Sequence, residues 1–369
     1  MSAIPADPAK FMKRALKAAE KARGTCSPNP FVGAVIVKNG KVIAAGWTQE
    51  CGGDHAEVQA LAKAGKLARG ADMYVTLEPC AHFGKTPPCT QAIIAAGIKR
   101  VFLGILDPNP LVHGKGVLHL QEAGVEVVPG VLAAEVTRQL ESYLCRVHKR
   151  RPFVIWKSAL SLDGKYAAQD GSSRWISGAR SREQVQRLRL EADVVLTGIG
   201  TVLCDDPLLT VRLGNSLKQP LRAVLDPFLK TPPASRIARS MLEIPTAIFC
   251  ARGKENSMRA KILIALGAQI HPVTAIGQIL NLKEILGILY QQGHNLVLLE
   301  CGSKLSSAFF AAGLVDKCYI FSGPKLLGGK KAMLTELGLP DISAALSLKD
   351  LTFKASGEDI LVTAYPVYD

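Results

Sequence analysis

His55-Ala56-Glu57, Glu78-Pro79-Cys80 and Cys89 form the stretch on which the reading of the N-terminal half turns. It supplies one imidazole, two thiolates and a carboxylate two residues after the imidazole. His55, Cys80 and Cys89 are a zinc ligand set, and three protein ligands leave a fourth tetrahedral position for water. Zinc bound there lowers the pKa of its water toward neutrality. Glu57 is placed to take that water's proton and later return it, without binding the metal. If Ala56 opens a helix, His55 and Glu57 both lie in its first turn and can face one pocket. A core histidine with two buried thiols is the bland alternative.

The pattern around this stretch alternates. Pro8 to Arg23 has helical spacing and is stopped by Gly24. Phe31–Val37 and Lys41–Trp47 read as strands joined by Asn39-Gly40, a strong hairpin turn. Helices are expected over Ala56–Lys66, Thr86–Ala96, Gly116–Glu122 and Ala133–Lys149, with strands over Met73–Leu77, Val101–Leu106 and Val125–Val128. Such alternation predicts an α/β layered domain, with ligands at strand ends. The polar run Arg146-Val147-His148-Lys149-Arg150-Arg151-Pro152 is the expected linker, giving domains over 1–148 and 149–369.

A second α/β pattern starts at Phe153–Ala159. Strands follow at Val194–Thr197, Arg222–Leu225, Thr246–Cys250, Gln269–Pro272, Leu296–Leu299 and Lys317–Phe321. Ser181–Glu191 reads as helix, Leu209-Thr210-Val211 as strand, and Leu351–Ala355 with Ile360–Pro366 as a terminal hairpin. Two clusters carry small or polar residues just after strands: Gly198-Ile199-Gly200-Thr201 and Glu300-Cys301-Gly302-Ser303-Lys304. Either suits close approach to a phosphate, the second at a helix start. Each is equally an ordinary turn or cap, and neither is a Rossmann fingerprint.

The 369 residues suffice for two domains with their own cores. Hydrophobic content of 48% and charged content of 21% describe a globular protein. Nine scattered cysteines show no secretory framework, and no apolar run is long enough to span a bilayer. A cytoplasmic enzyme without a membrane partner is expected. The net charge of +14 divides into +8 over residues 1–151 and +6 beyond. No basic tail and only 6% aromatics argue against a nucleic-acid partner and for anionic small molecules.

The usual nucleobase-deaminase signature closes with Cys-x-x-Cys, whereas eight residues separate Cys80 from Cys89 here. The loop Cys80-Ala-His-Phe-Gly-Lys-Thr-Pro-Pro-Cys89 resembles that of the bifunctional deaminase/reductase family of riboflavin biosynthesis. Ser27-Pro28-Asn29-Pro30-Phe31-Val32-Gly33 and Leu106-Asp107-Pro108-Asn109-Pro110 resemble it too. So do Ser161-Leu162-Asp163-Gly164, Arg174-Trp175-Ile176 and Thr201-Val202-Leu203-Cys204-Asp205-Asp206-Pro207, in its reductase half. The likeness runs from about residue 8 to the C-terminus.

The resemblance implies a cytidine-deaminase-like three-layer domain followed by a dihydrofolate-reductase-like domain. It implies zinc hydrolysis of a ring amine on a diamino-pyrimidinone ribosyl phosphate, then NADPH reduction of the ribose to a ribityl chain. Asn29, His82, Lys85 and Asn109 would line the deaminase substrate pocket. Ala159, Trp175, Thr201, Asp205 and the turn Gly302, Ser303, Lys304, Leu305, Ser306, Ser307 would meet the dinucleotide. Lys157, Asp163, Ser173, Arg189, Leu209, Arg212 and Glu300 would serve the reductase substrate. Lys157, Asp163 and Glu300 are its candidate proton donors, and Arg189 and Arg212 the pair expected on its phosphate. Family members tend to assemble through the reductase half, so a homodimer is expected. Pro227 after Asp226 departs from the family's frequent Ser and removes one hydroxyl from the cofactor side. A tRNA deaminase with a C-terminal binding module, and a zinc-stabilised scaffold with a fourth protein ligand such as His82, are the competing readings.

Overall fold

The computed structural model describes residues 7–84, 86–173, 175–214, 218–335 and 337–368. The chain divides into two compact units, Met1–Arg150 and Arg151–Asp369.

In the first unit, α1 (Pro8–Ala19) precedes the hairpin β1 (Gly33–Lys38) and β2 (Lys41–Trp47). Asn39 and Gly40 both take positive φ, 50° and 73°, as a tight two-residue hairpin turn requires. Then follow α2 (Ala56–Ala64), β3 (Asp72–Leu77), α3 (Cys89–Ala95), β4 (Arg100–Ile105), α4 (Lys115–Glu122), β5 (Glu126–Val128), α5 (Ala133–Gln139) and α6 (Glu141–Lys149). The sheet runs β2-β1-β3-β4-β5, with β3, β4 and β5 parallel. Gly46 matters on β2: a Cβ there would come within 2.1 Å of the Ala56 carbonyl, so its absence lets the start of α2 lie directly on the strand. Met12, Ile36, Met73, Tyr74, Phe102, Leu103 and Leu120 fill the core, with Tyr74 stacked on Phe102 at 4.5 Å.

The second unit begins at β6 (Phe153–Ser161), α7 (Ala179–Glu191), β7 (Val194–Gly198), α8 (Ile199–Asp205), β8 (Leu221–Leu225) and α9 (Arg236–Arg239). It continues through β9 (Thr246–Ala251), α10 (Met258–Ala265), β10 (Gln269–Val273), the small pair β11 (Ala275–Ile276) and β12 (Ile279–Leu280), and α11 (Leu282–Gln291). It closes with β13 (Leu296–Leu299), α12 (Ser303–Ala311), β14 (Lys317–Gly323), β15 (Leu348–Ser356) and β16 (Asp359–Pro366). Nine strands form one sheet, β10-β9-β8-β7-β13-β6-β14-β16-β15. It is parallel from β10 to β14; β16 then pairs antiparallel with β14, and β15 antiparallel with β16. The crevice outside the carboxyl ends of such parallel strands is where an α/β sheet offers a ligand site. Among the described residues no helix is long and apolar enough to cross a membrane.

Three expectations change. Residues 133–149 form two helices, because the chain breaks at Leu140. The linker shrinks: α6 continues through Lys149, burying Tyr143 and Cys145, so only residues 150–152 separate it from β6. The segment Leu209-Thr210-Val211 is not a strand. Gln219 takes both backbone groups of Val211, at 2.8 and 3.1 Å, while Arg189 and Arg222 take the carbonyls of Thr210 and Leu208. Side chains satisfy the hydrogen bonds that a neighbouring strand would have taken, and Leu209 adopts φ 55°.

Candidate functional sites

His55 is the residue before α2, with an extended backbone, and Glu57 occupies the first turn. Cys80 follows β3, and Cys89 opens α3. Their ligand atoms lie within 4.8 Å of one another. His55 Nδ1 is 3.1 Å from Cys89 Sγ and 3.6 Å from Cys80 Sγ, and the Cys89 amide donates to Cys80 Sγ at 3.4 Å. One imidazole and two thiols converging in a half-buried space match zinc in number, softness and spacing. His82 is exposed and does not belong to this cluster, so it supplies no fourth ligand. Hydrogen bonding from Cys89 and His55 outweighs burial and brings the Cys80 thiol down to about 4. Glu57 is 3% exposed, and burial raises its carboxyl above the usual range. A carboxyl so placed takes up a proton more readily than an exposed one and can release it again.

Glu78 holds this arrangement together. Its buried carboxylate accepts from four backbone N–H groups: Asp107 (3.1 Å), Gly114 (3.0 Å), Gly116 (2.9 Å) and Val117 (3.2 Å). Gly116 passes so close to the strand end that a Cβ would fall 2.0 Å from the Pro79 carbonyl. The loop carrying Asn109 is thereby fixed against the residue preceding Cys80. Asp107 adds to this, accepting from the Asn109 amide at 2.9 Å and from the Tyr143 hydroxyl at 2.9 Å. Asn109 and Asn29 are half-buried on separate loops, while Lys85 lies outside the described residues. The sequence signal for Glu78 is an acid just after a strand, two residues before the ligand Cys80.

In the second unit Leu299 lies opposite both Trp156 and Leu196, so Lys157 and Glu300 reach the same carboxyl edge of the sheet. Glu300 is buried between two cations. Arg189 grips it with both nitrogens, at 2.6 and 3.0 Å, and Lys157 Nζ is 2.7 Å away. Burial alone would raise the Glu300 carboxyl, but Arg189 and Lys157 outweigh it and hold the group well below its ordinary value. Arg189 also donates to the Thr210 carbonyl at 3.0 Å and is 8% exposed. It is thus occupied, and the expected convergence of Arg189 and Arg212 on one phosphate leaves Arg212, which is exposed, as the available partner. Leu209 lies buried between them in sequence on the loop they frame.

Asp163 is a loop anchor. Its carboxylate accepts from Ser161 Oγ (2.5 Å) and from the amides of Leu327 (3.1 Å) and Gly328 (2.7 Å), which bring it down to about 2. Trp175 is 61% exposed, with Arg182 4.5 Å over its ring and Lys325 donating to its carbonyl. Ser173 is half-buried and Arg174 lies outside the described residues. Ala159 is on β6, and Thr201 and Asp205 are on α8 after the β7 end. The expected turn over Gly302–Ser307 is a helix start: Gly302 caps α12, and Ser303, Lys304 and Leu305 form its first turn. Ser306 and Ser307 point inward, Ser306 accepting from Trp156 Nε1 at 3.0 Å and Ser307 from the Thr335 amide at 3.1 Å. Pro227 offers only its carbonyl, which accepts from the Ala251 amide.

Two family models match the chain: the cytidine and deoxycytidylate deaminase zinc-binding region over residues 5–105, and the RibD C-terminal domain over 152–362. The riboflavin biosynthesis protein RibD of Aquifex aeolicus is 41% identical, covering 95% of this chain and 96% of its own. A solved structure of Acinetobacter baumannii RibD is similar at TM-score 0.87 and 35% identity, over 98% of this chain and 99% of that one. Another, a diaminohydroxyphosphoribosylaminopyrimidine deaminase/5-amino-6-(5-phosphoribosylamino)uracil reductase from Thermotoga maritima, gives 0.85 and 37%, over 97% and 98%.

Proposed function

This chain belongs to the RibD family, and from that premise we propose how its own residues divide a deamination and a reduction between its two units. It is a bifunctional enzyme of riboflavin biosynthesis, with a zinc deaminase domain of cytidine-deaminase type followed by a dihydrofolate-reductase-like domain that uses NADPH. The substrate class is a pyrimidine ribosyl phosphate. The observation that carries the first activity is the three-ligand cluster with a buried carboxylate two residues after its imidazole.

His55, Cys80 and Cys89 would hold the zinc, which when bound supplies an acidified water at its open position. Glu57 takes a proton at its carboxylate and returns it to the departing amine, and its raised affinity for protons suits both transfers. Glu78 keeps the Asn109 loop against the strand end, so that Asn29, His82, Lys85 and Asn109 can orient the pyrimidine. NADPH, when bound, supplies hydride to the sugar carbon, with Ala159, Trp175, Thr201, Asp205 and the start of α12 on its side of the crevice. Among the three candidate proton donors, Asp163 is held ionised by its hydrogen bonds and Glu300 by two cations. That leaves Lys157 for the donor role, with Glu300 aligning its Nζ at 2.7 Å. Arg212 meets the substrate phosphate by a charge-assisted bond. The division of labour falls near residue 150, where the two units part.

The assembly we favour is a homodimer through the reductase unit. Its edge strand β15 is exposed on both faces, with Leu351 46% and Phe353 67% exposed, and an uncovered apolar edge favours pairing. Phe353→Lys should lower the mass seen by light scattering, and an unchanged mass would remove this edge from the interface.

Incubation with the phosphorylated diamino-pyrimidinone tests the whole reading. Without NADPH the product should be the deaminated ribosyl compound, and with NADPH its ribityl form. Reduction without deamination, or salt-sensitive RNA binding with neither, would overturn it.

A further inference from the structure

Arg222, at the second position of β8, is fully buried. Among the described residues no carboxylate pairs with its guanidinium. It donates instead to Thr246 Oγ1 (3.0 and 2.7 Å) and Ser240 Oγ (2.8 Å). Four backbone carbonyls complete the set: Leu208 (3.2 Å), Ile237 (3.2 Å), Ser240 (3.2 Å) and Ile244 (3.1 Å). An unpaired buried cation is costly, and burial pushes this one down to about 10. What the guanidinium gains is a joint. Leu208 belongs to the loop that runs to Arg212, and Ile237 and Ser240 belong to α9 and its end. One planar group therefore holds both segments within its own span.

A second tie joins the same pair. Asp206 Oδ1 accepts from the Arg236 amide at 2.7 Å, so α9 starts directly on the loop's first residue. Both Arg212 and Arg236 are exposed, and among the described residues neither guanidinium has a carboxylate partner. Burial, then repulsion from Arg189 and Arg236, lowers the Arg212 guanidinium. Of the acids in this neighbourhood, Glu300 is already gripped by Arg189 and Lys157, and Asp206 accepts from the Arg236 amide. Exposed guanidinium groups set this close together favour an anion of more than one charge.

We propose that Arg236 joins Arg212 as a second guanidinium contact to the phosphate monoester of the reductase substrate, and that Arg222 is the buried positioning residue that brings their two segments together. The inference rests on the reading that Arg212 meets that phosphate. The 2′-phosphate of the dinucleotide has the same chemistry, so the experiment needs arms for both.

In the full-length enzyme, Arg236→Gln should raise KM for the phosphorylated reductase substrate about tenfold, the loss of one hydrogen bond to a charged group. Turnover, KM for the dephosphorylated substrate, and NADPH and NADH affinities read by nicotinamide fluorescence should all hold. Equal losses on both substrates, or none on either, would overturn the proposal. Weaker NADPH with unchanged NADH would overturn the assignment to substrate. Arg212→Ala separates the two readings. If it is phosphate-selective while Arg236→Gln is silent, this inference alone falls; if it is not selective, the underlying reading falls. For the joint, Arg222→Lys keeps the charge but loses the planar fork. It should raise KM for the phosphorylated substrate selectively, with turnover held. A lower melting temperature with an unchanged ratio of the two KM values would show Arg222 to be merely structural.

Discussion

The two units gather opposite charge around their sites. In the first, two thiols and a carboxyl crowd one imidazole, a donor set suited to a cation. In the second, Lys157, Arg189 and Arg212 stand around the carboxylate of Glu300, an excess of cations suited to an anion. A net charge of +14 conceals this. Its even division between the halves hints at anionic partners everywhere, yet the N-terminal site is assembled from acidic ligands. Charge acts through local arrangement, and the whole-chain sum mainly describes the surrounding field.

The sharpest way to break the comparison is at Glu57. Glu57→Gln is nearly isosteric and leaves His55, Cys80 and Cys89 in place, so zinc per chain should stay near one. Ammonia release should nevertheless fall by roughly 10²–10⁴-fold, the usual loss with a general acid–base. Near-normal release by zinc-loaded mutant would show that the buried carboxyl does not move the proton. Cys89→Ser is the complement: zinc, measured by atomic absorption, should drop toward zero while NADPH binding holds. Full zinc occupancy in that mutant would remove Cys89 from the ligand set.

The two sites also differ in how far the sequence discloses them. His55, Glu57, Cys80 and Cys89 are legible because metal chemistry restricts both residue type and spacing. Asn39-Gly40 is legible because two consecutive positive φ angles admit few residues. Arg189, Lys157 and Glu300 come from a helix, a strand and the residue just after another strand, far apart in sequence, and nothing local marks them as partners. Their family likeness named them, but only the fold shows that Arg189 grips Glu300. Likewise the loop 206–212 reads as strand because Leu209-Thr210-Val211 is β-prone. Tertiary side-chain hydrogen bonds from Arg189, Gln219 and Arg222 override that preference. The end of α6 was hidden by its own charge: Arg146, His148 and Lys149 look like a linker, yet they suit the last turn of a helix.

Glu300→Gln sharpens the second half of the comparison. It removes the acid that the buried Arg189 and the half-buried Lys157 share, and breaking a buried pair in this way costs about 3–5 kcal/mol. The reductase unit should melt earlier, while the deaminase retains zinc. The pH dependence has a definite sign. Glu300 binds protons less readily folded than unfolded, so its contribution is complete above its ordinary value near 4.5 and is lost as pH falls below it. Wild type should therefore lose stability from about pH 5 downward more steeply than Glu300→Gln. Parallel acid limbs in chemical denaturation would mean that the Lys157–Glu300–Arg189 cluster contributes nothing to the acid response.

Arg212 tests the smallest and most specific difference. Arg189 is buried and gripping Glu300, so its removal would confound stability with binding. Arg212 is exposed, and among the described residues its backbone amide is held by Gln186 Oε1 at 2.7 Å. Arg212→Ala should leave the melting temperature nearly unchanged, because few contacts are lost. If the side chain meets the substrate phosphate, a bond to a charged group worth roughly 1.5–3 kcal/mol disappears, or about one to two factors of ten in affinity. The same substrate without its phosphate supplies the control. Wild type and mutant should then perform alike, since the interaction no longer exists to be lost. Added salt should shrink the gap between them on the phosphorylated substrate, as an exposed cation is screened over about 8–10 Å. Equal losses on both substrates would place Arg212 in the support of the loop, and the anion-seeking half of the comparison would lose its exposed partner for the substrate phosphate.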